Sequence, residues 1–110
     1  MERYAKMRQA ADAALESCTA ATAQVLVTET ENGEITVFSN DLSPASEQRF
    51  LSQQRQPLTA LLCVWSGGAI DVPSMHVRKG LLQANPKNAD AVIYLLGEHG
   101  INTRLLRQTF

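Results

Sequence analysis

The sequence lacks the features that identify several large classes of protein. No apolar stretch approaches the roughly 18 residues of a membrane-spanning helix, and charged residues between Glu2 and Arg8 interrupt any secretory leader. Ten basic and eleven acidic residues leave a net charge of −1, without the basic excess typical of nucleic-acid binding. We therefore expect a cytoplasmic protein whose partners include neither a membrane nor a nucleic acid.

Residues that bind metals are scarce. The chain has only four cysteines and histidines, which are Cys18, Cys63, His76 and His99, and no CxxC pair. A structural zinc site uses about four such ligands at close spacings. The sequence predicts no metal site and no cofactor, and it favours two reduced cysteines that fill small core positions.

Recognisable catalytic motifs are also missing. Ser66-Gly67-Gly68 is followed by another extended segment instead of the GK[ST] and helix of a phosphate-binding loop. No GxSxG sequence accompanies His76. A tight turn is the simpler interpretation of the glycines, and the absence of a nucleophile motif favours a role other than catalysis.

The middle of the chain contains the longest run of large apolar residues. Leu58 to Trp65 reads LTALLCVW, which is typical of a strand buried on both faces. Ser66-Gly67-Gly68 and a shorter apolar segment follow, so the pattern predicts a central hairpin over residues 58–72.

A second hairpin is predicted over residues 24–39. Asn32-Gly33 separates two β-rich runs, and a two-residue type I′ turn there would pair Glu31 with Glu34 and Val27 with Phe38. This register places three carboxylates on one face near the tip, those of Glu29, Glu31 and Glu34. We expect the tip to project into water.

Three helices are expected from apolar spacing and capping residues. The first covers residues 2–18, where small apolar residues recur every three or four positions. The second covers 44–54, with Ser43 as N-cap and Pro44 at the first helical position. The third covers 74–84 and is capped by Ser74, and Gly80 within it suggests close backbone packing.

The C-terminal segment permits two interpretations. Residues 91–96 form a second apolar run, which predicts the first of one or more strands over 91–106. The preceding Asn85-Pro86-Lys87-Asn88-Ala89-Asp90-Ala91, with Tyr94 and Leu96-Gly97, resembles the inter-repeat turn and first helix of a tetratricopeptide repeat. That resemblance covers about a dozen residues and implies a helix instead.

Together these patterns predict one α+β domain over residues 1–110, with a mostly antiparallel sheet covered by helices. For function, we expect a cytosolic, non-enzymatic protein–protein interaction module that self-associates or binds another protein. A regulatory domain for a small ligand or anion is the alternative, with a site formed by Trp65, Gly67, Gly68, Arg78 and Lys79. An enzyme that uses Cys63 or His76 is the third possibility.

Overall fold

The predicted central strand lies in the middle of a mixed sheet. A computed structural model describes residues 2–17 and 22–110. Within these residues the helices are α1 (Glu2–Ser17), α2 (Pro44–Ser52) and α3 (Met75–Ala84), with short 3-10 helices at Pro86–Asp90 and Leu106–Thr109. The strands are β1 (Gln24–Thr30), β2 (Ile35–Asn40), β3 (Leu58–Trp65), β4 (Ile70–Asp71), β5 (Val92–Gly97) and β6 (Gly100–Leu105).

The strand order is β2-β1-β3-β5-β6, with β4 beside the end of β3. All pairs are antiparallel except β3 with β5, which run parallel through Ala60–Val92 and Leu61–Ile93. The α+β fold with a mostly antiparallel sheet is therefore confirmed, and the parallel pair was not predicted. Because β4 pairs only with Cys63 and Val64, the first half of β3 keeps an open edge that β5 occupies after a crossover through α3.

Helices cover both faces of the sheet. Along β3, Ala60, Leu62 and Val64 face α1 with Met7 and Ala11, and all five are fully buried. Leu61 and Cys63 point to the other face, where Phe50 of α2 and Val77 and Leu81 of α3 cover them, as the alternation of a strand requires. No helix among the described residues is long and apolar enough to cross a membrane.

The first hairpin forms, but its predicted register is wrong by one residue. The loop has three residues, Glu31 to Gly33, closed by bonds from Gly33 N–H to Thr30 O at 2.9 Å and from Thr30 N–H to Glu34 O at 3.0 Å. Gly33 takes a positive φ of 82°, as in a type I turn followed by a bulge. Leu26 therefore pairs with Phe38 and faces α2 and α3.

This shift separates the predicted carboxylate cluster. A change of register by one residue moves every side chain of one strand to the opposite face. Glu29 lies on the α1 face, where its carboxylate is 3.4 Å from Arg3 Nε and accepts a 2.7 Å bond from Thr59 Oγ1. Glu34, whose backbone closes the turn at Thr30, belongs to the other face.

The other elements agree closely with the predicted bounds. Residues 91–96 lie almost entirely in β5, so the strand interpretation is confirmed and the helix implied by the repeat resemblance is wrong. Ser43 and Ser74 cap α2 and α3 through bonds from Ser46 N–H and Val77 N–H, as expected. The first helix is described to Ser17, and Cys18 lies outside the described residues.

Close packing at Gly80 is also confirmed. A Cβ atom on Gly80 would lie 2.4 Å from Leu51 Cδ1, so the missing side chain lets α3 approach α2. The second halves of α2 and α3 are therefore closely packed at Leu51 and Gly80.

We predict that Gly80→Ala lowers the free energy of unfolding by about 1 kcal/mol, since the cost of overpacking exceeds the gain in helix propensity. In a Leu51→Ala background the same change should be stabilising, because the clash is gone. Urea denaturation of the four proteins measures both effects. Gly67→Ala is the matched control, as no atom lies within 4 Å of its added Cβ; a neutral Gly80→Ala would contradict the prediction.

Candidate functional site

The N-termini of α2 and α3 meet at the carboxylate of Glu47. This residue is only 4% exposed, although it is charged. Its Oε1 accepts bonds from Ser74 Oγ at 2.9 Å and from His76 Nδ1 at 3.2 Å. Its Oε2 accepts from Asn40 Nδ2 at 3.1 Å and shares the Ser74 hydroxyl at 3.0 Å. Burial of a carboxylate is costly without such bonds, so this arrangement offsets its desolvation.

Asn40, at the end of β2, holds the other side of this cluster. It is fully buried, and its amide donates to Gln24 Oε1 at 3.0 Å as well as to Glu47. Its Oδ1 accepts from Leu42 N–H and Ser46 Oγ, both at 3.0 Å. All four hydrogen-bonding capacities of the Asn40 amide are therefore used.

The local sequence builds this junction. Leu42, with a positive φ of 70°, turns the chain from β2 into α2, and its N–H is bound by Asn40. Ser43 then caps the helix and also donates its N–H to Asp41 Oδ1 at 2.8 Å. Hydrogen bonds from Ser43 lower the pKa of the Asp41 carboxyl. The turn therefore fixes the start of α2. It places Glu47 in the first turn of the helix, where its side chain is buried.

His76 connects the buried carboxylate of Glu47 to the protein surface. Its side chain is 47% exposed, against 6% for Glu47. Because a carboxylate only accepts, this bond requires a proton on Nδ1, and the second ring nitrogen, Nε2, takes no part in it. Within residues 2–17 and 22–110, Nε2 has no hydrogen-bond partner from the protein.

His76 opens into a groove between α2 and α3. The groove has a volume of about 490 Å³, which is within the range of small-molecule sites. Its lining combines amide, hydroxyl, imidazole and ammonium groups with the apolar side chains of Leu51 and Ala84. The lining residues are Gln48, Leu51, Ser52, His76, Lys79, Gly80, Gln83 and Ala84.

The five residues predicted to bind a ligand form two separate groups. Trp65, Gly67 and Gly68 lie at the β3–β4 turn, where Trp65 Nε1 donates to Asp71 Oδ2 at 3.1 Å. Arg8 Nη2 donates to the Gly68 carbonyl at 3.0 Å. In the described part of the chain, the hydrogen bonds of this turn involve Arg8 and Asp71 and not the two cations of α3.

The two cations on α3 have different surroundings. Arg78 binds the carbonyls of Pro73 and Thr109, and its guanidinium lies 5.3 Å from the centre of the Phe110 ring. It therefore fastens the C-terminus to α3. Lys79 is exposed and lines the groove beside His76. A ligand site on all five predicted residues stays a prediction. The groove instead combines Lys79 with His76, which the sequence analysis named for catalysis, and with residues that were not predicted.

Cys63, proposed from the sequence as a nucleophile, is buried in β3. Burial raises the pKa of its thiol to about 12, and the negative charges of Asp71 and Glu47 act in the same direction. Because the thiolate is the reactive form, this environment makes Cys63 inert. Burial therefore argues against a catalytic role for Cys63, which stays a prediction, whereas the side chain of His76 is about half exposed.

Sequence reasoning missed Glu47 as a site residue and treated it only as part of a helix start. Its spacing was the available signal, because Glu47 is three residues before Phe50 and therefore on the buried face of α2. The contact with Ser74 spans 27 positions, so neither residue identifies the other without the fold.

Comparison with known proteins shows what this architecture resembles. No family model and no curated protein matches the chain. Solved structures of cytidine deaminases match it over nearly its whole length. A mutant enzyme from Mycobacterium tuberculosis has a TM-score of 0.71 at 18% identity, covering 96% of this chain and 90% of that one. The enzyme from Mycobacterium leprae has a TM-score of 0.64 at 19% identity, covering 97% and 96%.

The cytidine deaminase of Mycobacterium tuberculosis without that mutation gives a TM-score of 0.66 at 16% identity, with 96% and 92% covered. The chain therefore has the cytidine deaminase-like fold. These matches contradict the predicted non-enzymatic interaction module, because the similar structures are enzymes that share the architecture over the full chain. That functional prediction was wrong, since it rested on the absence of motifs from the sequence.

Zinc deaminases hold their metal with a His/Cys/Cys or Cys₃ set, in the pattern H-x-E followed by P-C-x-x-C. Glu47 and Pro73, at the starts of α2 and α3, are where this chain can match that pattern. The three ligand positions then hold Ala45, Ser74 and Val77. No group of three or more metal-binding side chains occurs among the described residues. The residues present do not fit zinc.

We predict that Glu47→Ala lowers the free energy of unfolding by about 3 kcal/mol, because it leaves the buried Asn40 amide and the Ser74 hydroxyl without an acceptor. Urea denaturation measures the loss. The control is Glu98→Ala at an exposed turn, which should change stability by less than about 0.5 kcal/mol. Equal effects of the two substitutions would contradict a structural role for the Glu47 carboxylate.

We also predict that Cys63 resists modification in the folded protein. A pKa near 12 instead of 9.0 lowers its thiolate fraction near neutral pH about a thousandfold. A Cys18→Ser variant leaves Cys63 as the single thiol for a disulfide reagent at pH 8. The reaction should be at least about 100-fold slower in buffer than in 8 M urea; comparable rates would show that the thiol is accessible and ionisable.

Proposed function

We propose that this chain is an enzyme of the deaminase fold that works without a metal, with His76 as general acid and base. The observation that carries the proposal is the bond from His76 Nδ1 to the buried carboxylate of Glu47 at 3.2 Å. Glu47 acts as the positioning residue, and the catalytic atom is Nε2 of His76.

The pair has the arrangement that makes a histidine an efficient base. A carboxylate bound to one ring nitrogen fixes the tautomer and orientation of the ring and stabilises the imidazolium that forms when the other nitrogen takes a proton. Asn40 and Ser74 hold Glu47 in place, so the ring is oriented from inside the protein. The exposed Nε2 meets a substrate in the groove.

The proposed substrates are small heterocycles that carry an amino group, with aminopyrimidines first. Two observations support this class: the similar structures are cytidine deaminases, and the groove of about 490 Å³ has room for a base or nucleoside. Gln48 and Gln83 in the lining offer donors and acceptors for ring nitrogens and oxygens.

The proposed reaction is hydrolysis. Nε2 takes a proton from water as the water oxygen bonds to the ring carbon that carries the amino group. Negative charge then develops on the adjacent ring nitrogen, where the Lys79 ammonium can stabilise it. The imidazolium returns its proton to the amino group, ammonia leaves, and the ring double bond re-forms, giving the hydroxyl-substituted product and a neutral His76.

Location and partners are proposed on separate grounds. We propose a cytoplasmic location, supported by the buried Cys63, which is a free thiol. Association with a second copy or with another protein stays a prediction, and the mass of the protein in solution would test it.

We predict that the purified protein turns over at least one aminopyrimidine in the presence of a chelator, and that His76→Asn lowers kcat about 100-fold or more. The asparagine amide can keep the bond to Glu47 while it removes the base. Ammonia release measures the rate for cytosine, cytidine and related aminopyrimidines. His99→Asn is the matched control, since the other histidine is exposed in the β5–β6 turn and should be silent.

Nuclear magnetic resonance of the His76 ring gives an independent readout. The ring nitrogens should report a proton on Nδ1, and substrate should shift the Nε2 signal while the His99 signals stay in place. Turnover that depends on added zinc, or that is the same in His76→Asn, would contradict the proposal. Absence of both turnover and shifts across the aminopyrimidines would also contradict it.

A further inference from the structure

Two of the three zinc-ligand positions carry side chains without any lone pair for a metal. Ala45 and Val77 are purely hydrocarbon, and Val77 is fully buried in the core with Leu81. Zinc in proteins is bound by cysteine sulfur, histidine nitrogen or carboxylate oxygen. One hydroxyl, that of Ser74, does not make a site.

The polar atoms that remain are already occupied. Ser74 Oγ accepts from Val77 N–H at 3.2 Å and donates its proton to Glu47. The two Glu47 oxygens accept from Asn40, Ser74 and His76. A cation at this place would have to displace several buried hydrogen bonds, each of which costs free energy to leave unmade.

The hydrogen-bonded cluster joins the segments that a metal centre would join. A zinc ion bound at the three ligand positions would fasten the start of α2 to the start of α3. In this chain Glu47 on α2 makes that link through Ser74 on α3, and Asn40 extends it to the end of β2.

We infer that this chain has exchanged the zinc centre of its fold for the hydrogen-bonded cluster Asn40–Glu47–Ser74, and that it folds without binding zinc. The cluster makes metal unnecessary for stability. The inference concerns the fold and does not depend on the reaction proposed for His76.

The first test uses the native protein. Protein produced in zinc-supplemented medium and passed through a desalting column should contain far less than one zinc ion per chain by atomic emission. Its Tm should be unchanged by a chelator or by a tenfold excess of zinc, because an ion that does not bind the folded state cannot stabilise it. Ser74→Ala and Asn40→Ala should each lower the Tm by several degrees, with or without chelator.

The second test restores the missing ligands. The triple variant Ala45→His/Ser74→Cys/Val77→Cys completes the deaminase pattern and should bind one Co²⁺ per chain, with the visible absorption of tetrahedral cobalt–thiolate coordination. The double variant Ser74→Cys/Val77→Cys, with two of the three ligands, should bind Co²⁺ at least tenfold more weakly. The native protein, which contains Cys18 and Cys63, should show no such absorption.

Two results would overturn the inference. One is a zinc ion in the native protein at about one per chain whose removal lowers the Tm. The other is a folded triple variant that binds Co²⁺ no better than the native protein, because the exchange would then not have occurred at these positions. If the triple variant does not fold, the zinc content and chelator response of the native protein still decide the question.

Discussion

A buried carboxylate must have hydrogen-bond donors around it, and much of this structure supplies them to Glu47. The donors come from two segments that are distant in the sequence: Asn40 ends β2, whereas Ser74 caps α3 and His76 lies in the first turn of that helix. Because all three must reach one side chain, the end of β2 and the starts of α2 and α3 are held together. The candidate site is the outer end of this cluster.

This constraint also bears on the proposed function. In the zinc deaminases a glutamate beside the metal handles protons. In this chain Glu47, which occupies the glutamate position of that pattern, is enclosed, 6% exposed at its side chain, and in contact with a histidine that reaches solvent. The hydrogen bonds by which Glu47 links β2 and α3 also fix the position of its carboxylate. A fixed carboxylate orients the ring of His76. One set of hydrogen bonds can therefore both hold the fold together and orient His76. From the interior outward, the linked residues are Asn40, Glu47 and His76.

The arrangement of the sheet follows from a short strand. Since β4 covers only two positions at the end of β3, the remaining edge of β3 is available to another strand. The chain reaches that edge after α3, which brings β5 in parallel to β3 and leaves α3 on the same face as α2. Gly80 then allows the two helices to approach at Leu51.

Local chemistry was sufficient to predict most elements. The apolar run of β3, the serine caps of α2 and α3 and the strand at 91–96 depend on neighbours in the sequence, so their positions were readable. The turn at Asn32-Gly33 was also readable, but not its length. A three-residue loop instead of a two-residue loop moved the side chains of one strand to the other face, and the expected carboxylate cluster disappeared.

The sequence by itself determined which segments are helices and strands, because propensity, periodicity and capping act over a few residues. It also determined that the chain carries few metal ligands. Only the tertiary structure decided that β3 and β5 run parallel, that Cys63 is buried in the core, and that Glu47 meets Ser74 and His76. These outcomes depend on contacts between residues some 30 positions apart, and the free energy of such contacts exists only when the whole fold brings the residues together.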